Sequence, residues 1–87
     1  MKMLYAAILK TIDPIKDAEI LEEHIEYLNK HIATGKIFVK GPFTDKSGGI
    51  IVFDVETLEE AEELMNNDPI VIHQTRTYEL KQWKSSF

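Results

Sequence analysis

Four apolar runs of strand length recur along the chain, separated by polar or turn-forming residues. They are MLYAAILK at 3–10, KIFVKGPF at 36–43, GIIVFDV at 49–55 and a closing run at about 75–83 that ends near TYELKQW. Runs of this length with these boundaries are typical of β-strands. TDKSGG, between the second and third runs, is rich in residues that favour tight turns. The pattern therefore predicts four strands.

A helical period fills the gap between the first two strands. From about 17 to 34, apolar residues recur every three to four positions, which predicts one buried stripe of a helix: Leu21, Ile25, Leu28 and Ile32. TIDPIKD before it predicts a loop, with Asp17 as the N-cap of the helix. Gly35 predicts its C-terminal end.

A second helix is predicted between the third and fourth strands. Thr57 to Glu60 spells the capping box T-x-x-E, and the apolar residues that follow share one face: Leu58, Ala61, Leu64 and Met65. Asn66 and Asn67 end this helix. Asp68-Pro69 then predicts another turn or short helix, with the aspartate as cap and the proline at the first helical position.

The order strand, helix, strand, strand, helix, strand predicts an α+β fold, the ferredoxin-like βαββαβ sandwich, as one domain over residues 1–87. In this fold both helices cover the same face of one antiparallel sheet. The first and third strands are nevertheless apolar at consecutive positions, and therefore on both faces. A large exposed apolar face is rare on soluble monomers, so we expect a symmetric homodimer packed sheet against sheet.

Composition narrows the function classes. No apolar run approaches the roughly 20 residues that a membrane span needs, and the first ten residues lack a signal-peptide cleavage site. A net charge of −5 with scattered Lys and Arg argues against nucleic-acid binding. The absence of cysteine excludes disulfides and thiol nucleophiles and is typical of a reducing compartment. We expect a cytoplasmic protein with no membrane or nucleic-acid partner.

His24 is the first candidate for chemistry. It lies beside Ile25 and three positions after Leu21, at the border of the apolar stripe. Two interpretations stay open: a boundary histidine that packs its ring, or a general acid/base in a cleft. Metal binding is not expected, because His24 and His31 would lie roughly 10 Å apart along a helix. No glycine-rich dinucleotide fingerprint occurs either, so no cofactor is predicted.

Two aspartates compete as partners of that histidine. Asp68 is first of all an N-cap, but a carboxylate that contacts an imidazole also fixes its tautomer. Asp45, in the turn after Gly41-Pro42, is the rival, and it has an equally simple interpretation as a turn residue. Tyr27, one turn after His24, either hydrogen-bonds a ligand in the same cleft or is an ordinary surface tyrosine.

Several short motifs in order give the chain a family likeness. They are His24 and its helix, Gly35, GPF at 41–43, GG at 48–49, LEEAEEL at 58–64, DP at 68–69 and the closing strand through Trp83. Together they resemble the YCII-related proteins, small dimeric α+β barrel proteins of ferredoxin-like topology. The resemblance covers nearly the whole chain.

The resemblance implies a pocket near the dimer interface that contains a catalytic pair of histidine and aspartate. His24 and Asp68 match the family motif, and Gly41 and Pro42 are expected in the pocket wall. Some relatives carry an aspartate two residues before the glycine that ends the first helix, where this chain has Ala33. One class of members dehydrochlorinates a chlorinated hydroxyquinol, and most members have no assigned activity.

Two functions from different classes follow. The first is a cofactor-independent lyase, hydrolase or isomerase for a small molecule, in which His24 moves a proton, Asp68 orients it, and Tyr27 or amides near Gly41 hold an oxyanion. The alternative is a non-enzymatic domain that binds a small metabolite or serves as an accessory dimerisation module. Haem-handling or oxygenase relatives of the dimeric barrel make a third alternative.

Overall fold

A computed structural model describes residues 1–87 and shows four strands and four helices. In chain order they are β1 (Met3–Thr11), α1 (Pro14–Glu19), α2 (Leu21–Ala33), β2 (Ile37–Pro42), β3 (Gly48–Phe53), α3 (Leu58–Asn66), α4 (Pro69–Ile72) and β4 (Arg76–Lys84). The strands form one antiparallel sheet in the order β2-β3-β1-β4. The prediction of a ferredoxin-like α+β fold is confirmed. None of the helices is long and apolar enough to cross a lipid bilayer.

The core lies between the helices and one face of the sheet. Alternate residues of β1 and β3 point toward the helices, as the two-residue period of a strand requires. They meet the inward residues of the helices in one cluster of buried side chains: Tyr5, Ala7, Leu9, Ile51 and Phe53 from the central strands, with Ile20, Leu28, Ile37, Ala61, Leu64, Met65 and Ile70.

The N-terminal helical region differs from the prediction of one helix from about 17. The chain turns helical already at Pro14, because Asp13 caps α1 by accepting a hydrogen bond from the backbone N–H of Lys16 at 3.1 Å. The helix breaks at Ile20 and restarts as α2. Asp17 is therefore not an N-cap. It lies inside α1 and is buried.

The buried face of α2 also differs from the predicted stripe. Of the four apolar residues expected inside, only Leu28 is buried, while Leu21, Ile25 and Ile32 are 42%, 40% and 39% exposed. His24 is only 5% exposed, so it points inward and is not at the border. The helix is rotated in this way because its inward polar side chains find partners on α3 and α4, which a local pattern cannot show.

The other predicted helix ends are confirmed. Gly35 has φ +81°, and α2 ends in two backbone hydrogen bonds of 3.0 Å, from Gly35 to Ile32 and from Lys36 to His31, the Schellman arrangement. Thr57 caps α3 through a bond from the N–H of Glu60. Asp68 caps α4, with Pro69 at its first position.

The second face of the sheet carries no helix. It holds an apolar groove of about 630 Å³ that Ala6, Ile8, Val39, Ile50, Val52 and Trp83 help to line, with Phe87 at one side. Consecutive apolar residues in β1 and β3 thus supply the core on one face and this groove on the other, as the sequence predicts.

Gly48 leaves no room for a side chain beside β1, and this generates a stability prediction. A Cβ at this position would lie 1.8 Å from the carbonyl oxygen of Leu9 on β1, so Gly48→Ala must push two central strands apart. We expect the free energy of unfolding to fall by about 3 kcal/mol in urea denaturation. The matched control is Gly41→Ala, whose added Cβ meets nothing within 4 Å. Equal stability of the two variants would contradict this account of the β1–β3 contact.

Candidate functional site

His24 and Asp68 form a buried pair between two helices. His24 lies on the first turns of α2, and Asp68 caps α4 at a position 44 residues further along the chain. The imidazole Nδ1 lies 2.8 Å from the Oδ1 atom of Asp68, and the two side chains are 6% and 1% exposed. An ionisable pair this deeply buried is stable only when its polar atoms find partners.

The carboxylate of Asp68 fixes the orientation and tautomer of the ring. An ionised carboxylate only accepts hydrogen bonds, so the proton between the two side chains belongs to Nδ1 of His24. In the neutral ring Nε2 is then the unprotonated nitrogen, and no protein group bonds to it. The same Oδ1 also accepts the N–H of Ile70 at 3.1 Å, while Oδ2 is buried without a partner.

A cavity of about 250 Å³ opens beside this pair. His24 belongs to its wall, whereas Asp68 does not, so the carboxylate stands behind the ring. Gly41 and Pro42 of β2 also line the cavity. Six apolar residues from α2 and the central strands complete most of the wall: Leu9, Leu21, Ile25, Leu28, Ile50 and Ile51. The exposed Leu21 and Ile25 therefore face this hollow instead of the core.

A second buried polar cluster lies at the start of β4, and sequence reasoning missed it. Arg76 donates from Nε and one terminal nitrogen to the two carboxylate oxygens of Asp17, at 2.8 and 2.9 Å, and Thr75 adds a bond of 2.8 Å from its hydroxyl. Burial alone would raise the pKa of Asp17, but the hydrogen bonds from Arg76 and Thr75 outweigh it and hold that pKa below its usual value. Arg76 itself lines the cavity. A local sequence pattern cannot predict the contact between Asp17 and Arg76, because the two residues are 59 positions apart.

Tyr27 does not line the His24 cavity. Its hydroxyl donates to the backbone carbonyl of Leu64 at 2.7 Å and so ties α2 to α3. Burial, together with the negative charges of Asp68 and Glu63, raises the pKa of Tyr27 to about 12. The phenol therefore stays protonated and serves as a structural donor.

His31 packs edge-on against Tyr27, with ring centroids 4.6 Å apart. Both residues border a separate hollow of about 460 Å³ between α2 and α3. Burial and the nearby Lys30 and Lys36 lower the pKa of His31, which favours its neutral form. No three His, Asp or Glu side chains come together anywhere in the chain as a group that could hold a metal ion.

Asp45 lies on the surface in the β2–β3 turn and does not reach His24. Its carboxylate accepts hydrogen bonds from the hydroxyl and the backbone N–H of Ser47, at 2.6 and 3.0 Å, and these bonds lower its pKa. It serves the turn. Of the two aspartates that the sequence left open, Asp68 is the one in contact with the imidazole.

Comparison with known proteins gives the chain a family. Residues 3–84 match the model of the YCII-related domain, so the chain belongs to the YCII-related family. The uncharacterised protein YjpA of Bacillus subtilis is 32% identical over 82 residues, which cover 93% of this chain and 96% of YjpA.

A solved structure shares the fold. It is 5-chloro-2-hydroxyhydroquinone dehydrochlorinase (TftG) of Burkholderia phenoliruptrix in complex with 2,5-dihydroxybenzoquinone. The TM-score is 0.82 at 21% sequence identity, with 95% of each chain covered.

The contact between His24 and Asp68 predicts the tautomer of the ring. Nitrogen-15 NMR under alkaline conditions, in which histidine rings are neutral, should show the proton of His24 on Nδ1. Asp68→Asn keeps an oxygen to cap α4 but offers an amide that can donate as well as accept, so we expect the Nε2–H form to become populated. His73, on the surface, is the internal control and should not change. A protonated Nε2 in the unaltered protein would contradict the assignment.

Proposed function

We propose that this protein is a cofactor-independent enzyme for a small molecule, of the lyase, hydrolase or isomerase type. His24 is the general acid/base, and Asp68 is the positioning residue behind it. The observation that carries the proposal is the 2.8 Å contact of Nδ1 with a buried carboxylate, in a ring that forms part of a cavity wall. Gly41 and Pro42 are proposed as the wall against which the substrate lies.

The chemistry follows from the two ring nitrogens. Because Asp68 engages Nδ1, Nε2 is left to accept a proton from an O–H or C–H of the bound molecule and to return it later. The negative charge of Asp68 stabilises the imidazolium that forms in between. Such acid/base transfer contributes about 10²- to 10⁴-fold to a rate. A surface histidine with no fixed partner would lack this orientation.

The dimensions of the cavity suit a single ring. An engineered cavity of about 150 Å³ already holds benzene, so one of about 250 Å³ has room for a ring with a few substituents. The fold neighbour TftG is a dehydrochlorinase that was solved with a quinone. These two observations support small cyclic substrates. The absence of cysteine supports a reducing, cytoplasmic setting for the reaction.

Turnover tests the role of His24. The first substrate to try is 5-chloro-2-hydroxyhydroquinone, followed by other hydroxyquinols and small lactones, with product followed by absorbance and chloride release. We expect His24→Asn, which keeps a donor for Asp68, to lower kcat by about 10²-fold or more.

The matched control for that variant is His73→Asn, which removes a partly exposed imidazole at the C-cap of α4, away from the cavity, and should leave kcat unchanged. Full turnover by a folded His24→Asn protein would remove His24 from the mechanism. Saturable binding of these compounds without any turnover would favour the alternative, a domain that only binds small metabolites.

We propose in addition that the protein works as a homodimer in which the open sheet faces meet. The support is the apolar groove opposite the helices, in which Val39 and Trp83 remain 51% and 40% exposed. Lys40, Gly41 and Ile50 line both this groove and the His24 cavity. A second copy on the groove would therefore sit next to the cavity.

Sedimentation tests this assembly. We expect a dimer at micromolar concentration, and we expect Trp83→Glu to give a folded monomer, because it places a charge on an apolar contact surface while changing a residue that is already exposed. Ile15→Glu is the matched control, since Ile15 is 77% exposed on α1, and it should stay dimeric. A monomeric unaltered protein would overturn the proposal of a dimer.

A further inference from the structure

The charged residues in the wall of the His24 cavity are all basic. Twelve residues line it, and the charged ones besides His24 are Lys40 and Arg76. No Asp or Glu takes part, although 15 of the 87 residues are acidic and the chain carries a net charge of −5. The charged side chains that line the cavity therefore have the opposite sign to the net charge of the chain.

Arg76 is fixed in place and still has donors to offer. A guanidinium carries five N–H groups in a rigid fork. Asp17, which does not line the cavity, accepts hydrogen bonds from Nε and one terminal nitrogen of Arg76, at 2.8 and 2.9 Å. The other terminal nitrogen makes no hydrogen bond within the protein. Asp17 offsets part of the charge of Arg76, but it also fixes the orientation of the guanidinium. The remaining N–H groups of Arg76 therefore form a preorganised donor site.

Lys40 supplies a charge that nothing in the chain neutralises. Lys2 and Lys36 lie within 4.0 Å of acidic side chains, those of Asp54 and Glu60, whereas Lys40 has no such partner. A one-residue shift in strand register brings Lys40 to the cavity side. Between Ile37 and Val39 the pairing slips, so that Lys40 lies opposite Ile51, a core residue, instead of Ile50. Directly opposed residues point to the same face, so the bulge turns Lys40 toward the helices.

Building on the proposed function, we infer that the cavity takes a small, mostly apolar molecule that carries an anionic oxygen, a carboxylate or a phenolate. The apolar wall accommodates the body of the molecule, and Arg76 and Lys40 receive the negative oxygen. The same donors would stabilise the oxyanion that remains after Nε2 of His24 removes a proton. The substrate class is thus an aromatic or cyclic acid, or an acidic phenol.

Binding of simple probes tests this class without any turnover. Benzoate and benzamide have nearly the same shape and differ in charge, and 4-nitrophenolate and nitrobenzene form a second such pair for the phenolate source. NMR titration that follows the backbone amides of Leu28, Gly49 and Ile51, which line the cavity but not the groove on the open face, locates each probe. We expect each anion to bind at least about tenfold more tightly than its neutral partner, and added salt to reduce that difference.

Two substitutions separate the contributions of the basic residues. Arg76→Lys keeps a charge for Asp17 but loses the fork, and it should weaken anion binding by about tenfold. Lys40→Gln removes an exposed, unpaired charge and should weaken it by about two- to fivefold, with no change for the neutral probes. Lys84→Gln is the matched control. In the strand register Lys84 lies opposite Met3, and Arg76 lies opposite Thr11, so the two residues are at opposite ends of β4. Lys84→Gln should therefore have no effect on anion binding.

The results that would overturn this inference differ from those that would overturn the proposed function. Equal affinity for anion and neutral partner, absence of benzoate and nitrophenolate binding at millimolar concentration, or equal effects of Lys40→Gln and Lys84→Gln would each reject an anion site. None of these results concerns acid/base catalysis. Conversely, His24→Asn should still bind benzoate, so loss of turnover in that variant with binding intact separates the two proposals. If benzoate binds and nitrophenolate does not, the anionic group of the ligand is a carboxylate. The reverse result identifies a phenolate.

Discussion

The buried carboxylate of Asp68 is the constraint around which the helical layer is arranged. A cap needs only a side-chain oxygen, and asparagine caps helices as well as aspartate does. The charge of Asp68 is therefore not explained by its bond to Ile70. It is explained by His24, whose Nδ1 lies on the same oxygen at 2.8 Å. Because Oδ2 is buried without a partner, the site carries a desolvation cost of about 1–3 kcal/mol that an apolar core would avoid. Asp68 carries this cost directly behind the His24 ring in the cavity wall, which supports the proposal that the pair is kept for chemistry.

The sequence was sufficient for the order of the elements and for most of their ends. The apolar runs of strand length, the Thr57 cap, the glycine at 35 and Asp68-Pro69 each depend only on residues close by in the chain, so a local pattern reveals them. Asp13-Pro14 has the same signature as Asp68-Pro69 and likewise starts a helix, although a loop was expected there because proline biases the residue before it away from helical geometry.

A local sequence pattern could not predict which face of α2 is buried, or that Asp17 and Arg76 form a buried cluster. Apolar Leu21 and Ile25 look like core residues in a periodic pattern, yet they face a hollow, because His24 and Tyr27 occupy the inward side. Those polar groups are tolerated inside only because Asp68 and the carbonyl of Leu64 meet them, 44 and 37 residues away. Arg76 and Asp17 depend on each other in the same way over 59 residues. Without coordinates or covariation, such pairs give no signal.

The bulge in β2 changes the face of the sheet to which the residues after it point. Strand alternation alone would direct Lys40 to the open face, and the slip in register after Ile37 directs it to the helix side. Since β2 is an edge strand, it can shift in this way without disturbing the central pairing of β1 with β3 and β4. The edge is also where the two hollows meet, at Lys40, Gly41 and Ile50. A molecule that packs on the open face at Lys40, Gly41 and Ile50 would contact residues that also line the cavity.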